Sequence, residues 1–179
     1  MRKYSQILFV ALLVLVHTLS KPISSYAKQE PPNTTITMTV NQLGCSTPAG
    51  TNAFAATAFT FGASNSGTTS TGGGAGAGKA KISDLNVSKA FNECSPAIFG
   101  AVVTGKHFPS VKLVHADANG NPVLTIELQE VLVSSYQIGG SAGPDVPMEN
   151  VSFNFAKVCI TDSATNTKLC YDAAAAKTF

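Results

Sequence analysis

The run Gly73-Gly74-Ala75-Gly76-Ala77-Gly78-Lys79-Ala80 comes close to a phosphate-binding loop. That chemistry needs a Ser or Thr directly after the lysine, because its hydroxyl holds the magnesium. Ala80 stands there instead. A strand is expected to follow, so the helix N-terminus that stabilises phosphates is missing as well. Asp117, Asn119 and Asn121 begin like a calcium loop, but Pro122 occupies the glycine position and no glutamate closes the loop. A hairpin turn is the better reading.

Acid–base chemistry finds little to work with. Beyond residue 27 there are two histidines, His107 and His115. His115 alternates with Val111 and Leu113, the position of a packed or rim histidine in a strand, and His107 is expected in a loop. A Ser/His/Asp triad can be assembled on paper, as in most chains. Glu127 and Glu130 fall on opposite faces of a strand or straddle a bend, which is unsuited to a paired acid and base. No catalytic, cofactor-binding or metal-binding residue is expected, and no cofactor.

The cysteines carry the clearest covalent signal. There are four, Cys45, Cys94, Cys159 and Cys170, and no pair has the C-x-x-C spacing usual in zinc sites. Two strand-like runs flank polar turn residues between Val158 and Tyr171. A turn centred on Ala164-Thr165 sets Cys159 opposite Cys170. The expected disulfides are therefore Cys159–Cys170 and, by elimination, Cys45–Cys94. Asn33-Thr34-Thr35, Asn86-Val87-Ser88 and Asn150-Val151-Ser152 fit the glycosylation sequon, which matters only in a host that glycosylates exported proteins.

These residues must be placed by strands. Thr34 to Val40 alternates Ile36, Met38 and Val40 with threonine, a strong strand pattern. Ala53–Phe61, Lys79–Val87, the stretch around Val111–His115, Val123–Leu128, Val131–Ile138 and Val151–Ile160 read as further strands, followed by a final hairpin arm. Residues 64–78 have no periodicity and no apolar anchor, so a long flexible Gly/Ser/Thr loop is expected. One helix is marked by Ser95 as N-cap, Pro96 as first helical residue, an apolar stripe through Ile98 and Val102, and Gly105 as terminator.

The N-terminus has the order of a secretory signal. Arg2 and Lys3 precede the apolar run Ile7 to Leu19, and Ser25-Tyr26-Ala27 supplies a small-x-small cleavage site. The run is shorter than the roughly 20 residues that span a bilayer. The expected organisation is a signal peptide over 1–27, a flexible lead-in over 28–33 and one β-barrel domain over 34–179. Cleavage removes Arg2, Lys3 and Lys21. Nine basic residues then face ten acidic ones, a net charge of −1 with no arginine left. A nucleic-acid binder needs a basic face, so no nucleic-acid partner is expected, nor stable membrane insertion after cleavage.

Two stretches carry a family resemblance. The first is Ile82 to Phe99, with Ser95-Pro96 opening the helix, ending at Gly105-Lys106-His107-Phe108. The second runs through Thr125-Ile126-Glu127-Leu128 and Val131 to Tyr136, then Pro147 to Phe155 and Lys157. Their order and spacing over roughly residues 79–160 resemble the Hcp family, the tube-forming proteins of bacterial type VI secretion. The resemblance implies a mainly β fold, a small Hcp-like barrel of two antiparallel sheets with one short helix on its side. It also implies a homo-oligomer, a hexameric ring able to stack into tubes and to carry secreted effector proteins, with no enzymatic activity. The chain departs from the family in its export signal, its four cysteines and its Gly/Ser/Thr tract, which falls where members carry an extended loop used between rings. The expectation is a secreted or periplasmic bacterial structural protein. The alternative is a monomeric secreted barrel that binds a surface or host ligand.

Overall fold

Alternation of apolar and polar residues builds most of this protein. The computed structural model describes residues 34–65 and 80–179. The expected signal peptide, the lead-in and residues 66–78 of the expected loop lie outside the described residues. The strands are Thr35–Val40 (β1), Ser46–Thr47 (β2), Gly50–Thr51 (β3), Ala53–Ala56 (β4), Ala58–Thr60 (β5), Ala63–Asn65 (β6), Ala80–Ile82 (β7) and Leu85–Ala90 (β8). After the helix Ser95–Thr104 (α1) come His107–Ala116 (β9), Pro122–Gly139 (β10), Met148–Asp162 (β11), Thr167–Asp172 (β12) and Lys177–Thr178 (β13). Ser64 and Asn65, expected in the loop, belong to β6, which pairs with β7.

Nine strands share one antiparallel sheet in the order β13-β12-β11-β10-β9-β1-β4, with β8 pairing both β11 and β5. The expected barrel is not closed by hydrogen bonds: β4 lies on β1 while β5, after one intervening residue, lies on β8, so the chain at Thr57 and not a strand pairing joins the two edges. The two expected sheets are two lobes of this one sheet. The change of partner falls at Thr57, so the predicted strand Ala53–Phe61 is divided there. Thr57 donates both its N–H and its hydroxyl to the Ser88 carbonyl at the break.

Two other expectations are redrawn. Lys79–Val87 is split at Ser83 and Asp84, where Ser83 exchanges hydrogen bonds with Gly62. Conversely, Val123–Leu128 and Val131–Ile138 are one strand. Glu130 bends β10 through a positive φ of 54° without breaking register, and Ser134 is an extra residue opposite the Phe153–Ser152 step. Such irregularities let a long strand curve around a core.

The core follows from rows of directly opposed residues. Phe54, Met38, Leu113 and Ile126 form one such row across β4, β1, β9 and β10, and all four are buried. Leu85, Val87, Val151 and Phe153, paired across β8 and β11, join the same core, as does Ile98 of the helix. The helix ends where its sequence says: Gly105 takes the left-handed conformation at φ 63°, and the Lys106 N–H reaches the Ala101 carbonyl at 3.0 Å. Its start moves by one residue. Cys94 is the N-cap, not Ser95, because the Ser95 hydroxyl is engaged elsewhere.

Candidate functional site

Beneath the helix N-terminus lies a closed group of polar side chains. The pairing of β8 with β11 sets Lys89 directly opposite Glu149 on the inward face. Lys89 Nζ lies 2.5 Å from Glu149 Oε2, and both side chains are fully buried. Ser95 Oγ, 2.9 Å from each, accepts from Lys89 and donates to the carboxylate. The other carboxylate oxygen accepts the Tyr136 hydroxyl at 2.5 Å. Lys89 also sits over the Phe54 ring, 5.3 Å from its centroid, a cation–π contact that gains from exclusion of water.

Every donor here has an acceptor. Among the described residues no buried side-chain nitrogen or oxygen lacks a partner. The ammonium and carboxylate neutralise each other, and the serine links them to the helix. Burial, then the hydrogen bond to Glu149 and its negative charge, pushes the Tyr136 phenol up to about 12. A phenol held protonated and a carboxylate fully occupied are poor proton carriers, so the group acts as an internal clasp between β8, β10, β11 and α1.

The outer face of β9, β10 and β12 carries a small ion-pair cluster. Glu127 takes Lys168 at 3.1 Å and Lys112 at 3.3 Å, and the hydrogen bond from Lys168 is the main cause that lowers its carboxyl below the ordinary value. Glu130 faces Lys157 instead, so Glu127 and Glu130 do not converge. The outer face of β8 and β11 is largely polar and uncharged: Asn86 meets Ser152 and Ser88 meets Asn150, while Asp84 at its end accepts from Asn154 and Ser134. Asn86, Ser88, Asn150 and Ser152 belong to the two internal sequons, which lie antiparallel and satisfy each other across the sheet.

The remaining expected positions are separated. His107 is not in a loop; it opens β9 opposite Leu132. His115, at the other end of that strand, packs edge-on against Phe59 with ring centroids 6.1 Å apart. Asp117 accepts the N–H groups of Asn119 and Asn121, so this carboxylate builds the hairpin turn. Among the described residues no three His, Cys, Asp or Glu side chains converge as a metal site requires. The glycine run before Ala80 lies outside the described residues. One pattern takes its meaning from the structure: Gly139-Gly140-Ser141-Ala142-Gly143 spells the G-x-S-x-G of a hydrolase nucleophile. It occupies the exposed connection between two antiparallel strands, with no helix after it.

The cysteines do come together. Cys159 and Cys170 are direct partners in the β11–β12 register, 4.0 Å apart between Cα atoms, with sulfurs at bonding distance. Cys45 and Cys94 stand 5.1 Å apart between Cα atoms, again with sulfurs at bonding distance, which joins the loop after β1 to the helix N-cap.

Among the described residues the protein is strands with one helix, a polar clasp beneath it and no converging group of metal-ligating side chains. The family model described as "Type VI secretion system effector, Hcp" matches residues 27–161. The chain belongs to the Hcp family. Protein hcp1 of Pseudomonas aeruginosa is similar to it, 46% identical over 83 residues, which cover 45% of this chain and 51% of that protein. The chain thus aligns with about half the length of that curated relative. Among solved structures, one described as a type six secretion system protein superposes with a TM-score of 0.72 at 22% identity, covering 82% of this chain and 100% of that one. Hcp1 from Salmonella typhimurium gives a TM-score of 0.69 at 20% identity, covering 82% and 99%. At these identities the structures show the Hcp fold. Among the described residues, no helix of this Hcp protein is long and apolar enough to cross a membrane.

Proposed function

We propose that this Hcp protein is an exported structural subunit that assembles into hexameric rings, able to stack into tubes and to bind protein partners, and that it performs no catalysis. The observation that carries the reading is the family match over residues 27–161. The fold supports it, since it covers 99% of the solved Hcp1 chain from Salmonella typhimurium. The interior is consistent with a rigid building block, because its buried charges are spent on one another.

The route is part of the proposal. Residues 1–27 act as a cleaved signal, and in the oxidising compartment beyond it Cys45–Cys94 and Cys159–Cys170 close as disulfides. The test is the native mass, by light scattering, of the protein recovered from the periplasm of a host expressing the full chain. A hexamer lacking residues 1–27 is expected. A processed monomer would sink the ring reading and leave the Hcp fold serving as a secreted binding module, with its loops as the place to look for a ligand.

A further inference from the structure

The two cysteine pairs stand in unlike surroundings. Cys94 is fully buried within the core, and Cys45 packs against it. The loop that carries Cys45 has other holds, buried Leu43 and the Asn52 N–H on the Cys45 carbonyl at 2.8 Å. Cys159 and Cys170 lie outside that core. The register sets Cys159 directly opposite Glu127, so this bond lies on the outer face with the ion-pair cluster. Cys159 is 6% exposed and Cys170 is half-buried, which makes Cys170 the more accessible sulfur.

What the outer bond fastens is the end of the chain. No residue of β12 is buried. The row Phe54, Met38, Leu113 and Ile126 continues in register through Ile160 to Leu169, yet Ile160 is 39% exposed and Leu169 is 65% exposed. The layer that covers the row thus stops before β12, whose Tyr171 still packs against the core. Among the described residues β13 pairs β12 alone, so it adds no hold on the rest of the sheet. Since β10 pairs β11 along one side, β8 and β12 share the other side end to end. Detaching β12 would bare the backbone groups of β11 from Lys157 to Asp162 and leave β11 paired with β10 and β8.

We infer that Cys159–Cys170 is a reducible latch: a low-mass thiol opens it and frees the arm from Ser163 to Phe179, while Cys45–Cys94 stays closed. The inference rests on the two disulfides proposed above. The thiolate of the reductant bonds to Cys170 Sγ, and the sulfur–sulfur bond breaks with its electron pair passing to Cys159, which takes up a proton. A second thiolate attacks the reductant's sulfur in this mixed disulfide and releases Cys170 as a thiol. Two cysteines are then reduced, and two thiol molecules are oxidised to their disulfide. Lys112 and Lys168 share one carboxylate, Glu127, so the surroundings carry a net positive charge that favours an incoming thiolate. Access at this end of the chain needs only local opening, which costs far less than opening the core.

The test treats the native protein, recovered from the periplasm, with reduced glutathione and follows each cysteine by alkylation and peptide mapping. Cys159 and Cys170 should label on the order of tenfold faster than Cys45 and Cys94, the difference between local and core opening. Amide hydrogen exchange should rise over the same period within residues 157–178 and stay unchanged elsewhere. The double variant Cys159→Ser with Cys170→Ser should show that raised exchange without glutathione. Equal labelling of the two pairs, or earlier labelling of Cys45 and Cys94, overturns the inference. So does a double variant whose amides in 157–178 stay as protected as in the wild type. Labelling of all four cysteines before glutathione is added sinks the disulfide reading itself, and this inference with it.

Discussion

Lys89 and Glu149 face each other across the β8–β11 register with Nζ 2.5 Å from Oε2, and neither side chain reaches solvent. The pair ties the C-terminal end of β8 to the N-terminal end of β11, and Ser95 fastens the helix to both. Desolvating two charges is costly, and their mutual attraction offsets that cost only while both are present. Glu149→Ala or Lys89→Ala should therefore destabilise the fold by about 3–5 kcal/mol, the range for orphaning a buried charge. The double variant Lys89→Met with Glu149→Leu should recover much of that loss. Denaturant melts of the three proteins check it; a double variant as unstable as the sum of the singles would show the pair is not a unit.

Tyr136 gives the same group an alkaline signature. Its phenol is raised from an ordinary 10.0 to about 12, so between those values the folded state holds a proton that the unfolded state has released. By linkage the contribution of Tyr136 is fully present below about pH 10 and is lost as pH rises towards 12. Unfolding temperature measured from pH 9 to 12 should fall in the wild type and less steeply in Tyr136→Phe. Identical slopes would remove Tyr136 from the account.

The two cysteine pairs close loops of different length, 49 and 11 residues of separation. By chain entropy the longer should contribute about 4 kcal/mol and the shorter about 3 kcal/mol. Replacing Cys45 and Cys94 together by alanine should thus cost more than replacing Cys159 and Cys170. Non-reducing peptide mapping should recover the same two pairings. Four thiols open to alkylation in the native protein, isolated under oxidising conditions, would refute both bonds.

Gly105 ends the helix at φ 63°, and a Cβ placed there meets nothing within 4 Å. The cost of Gly105→Ala should therefore be conformational, about 1–2 kcal/mol for an L-residue forced left-handed. Gly105→Asn, which tolerates that region better, should lose less. A Gly100→Ala control, in open space at a mid-helix site, should be neutral or stabilising, since alanine favours the helix by about 1 kcal/mol.

The sequence by itself determined the local elements. The threonine alternation of β1, Pro96 and Gly105 around the helix, and Asp117-Ala118-Asn119-Gly120-Asn121 as a turn were all legible, because turn chemistry and side-chain period act over a few residues. Cys159 opposite Cys170 was legible for the same reason, as one short hairpin fixes the register. What the tertiary structure decided is long in range. The division at Thr57 depends on Ser88, 31 residues away, and the union of two expected strands into β10 depends on a partner, β11, able to hold register past Glu130. Ser95 reads as a helix cap until Lys89 and Glu149, 6 and 54 residues distant, take its hydroxyl. No periodicity announces that clasp, because Lys89 and Glu149 look like surface charges in a strand until pairing turns both inward. Nor could sequence alone show that Leu169 outlasts its core, since exposure along a row depends on which layer stops first.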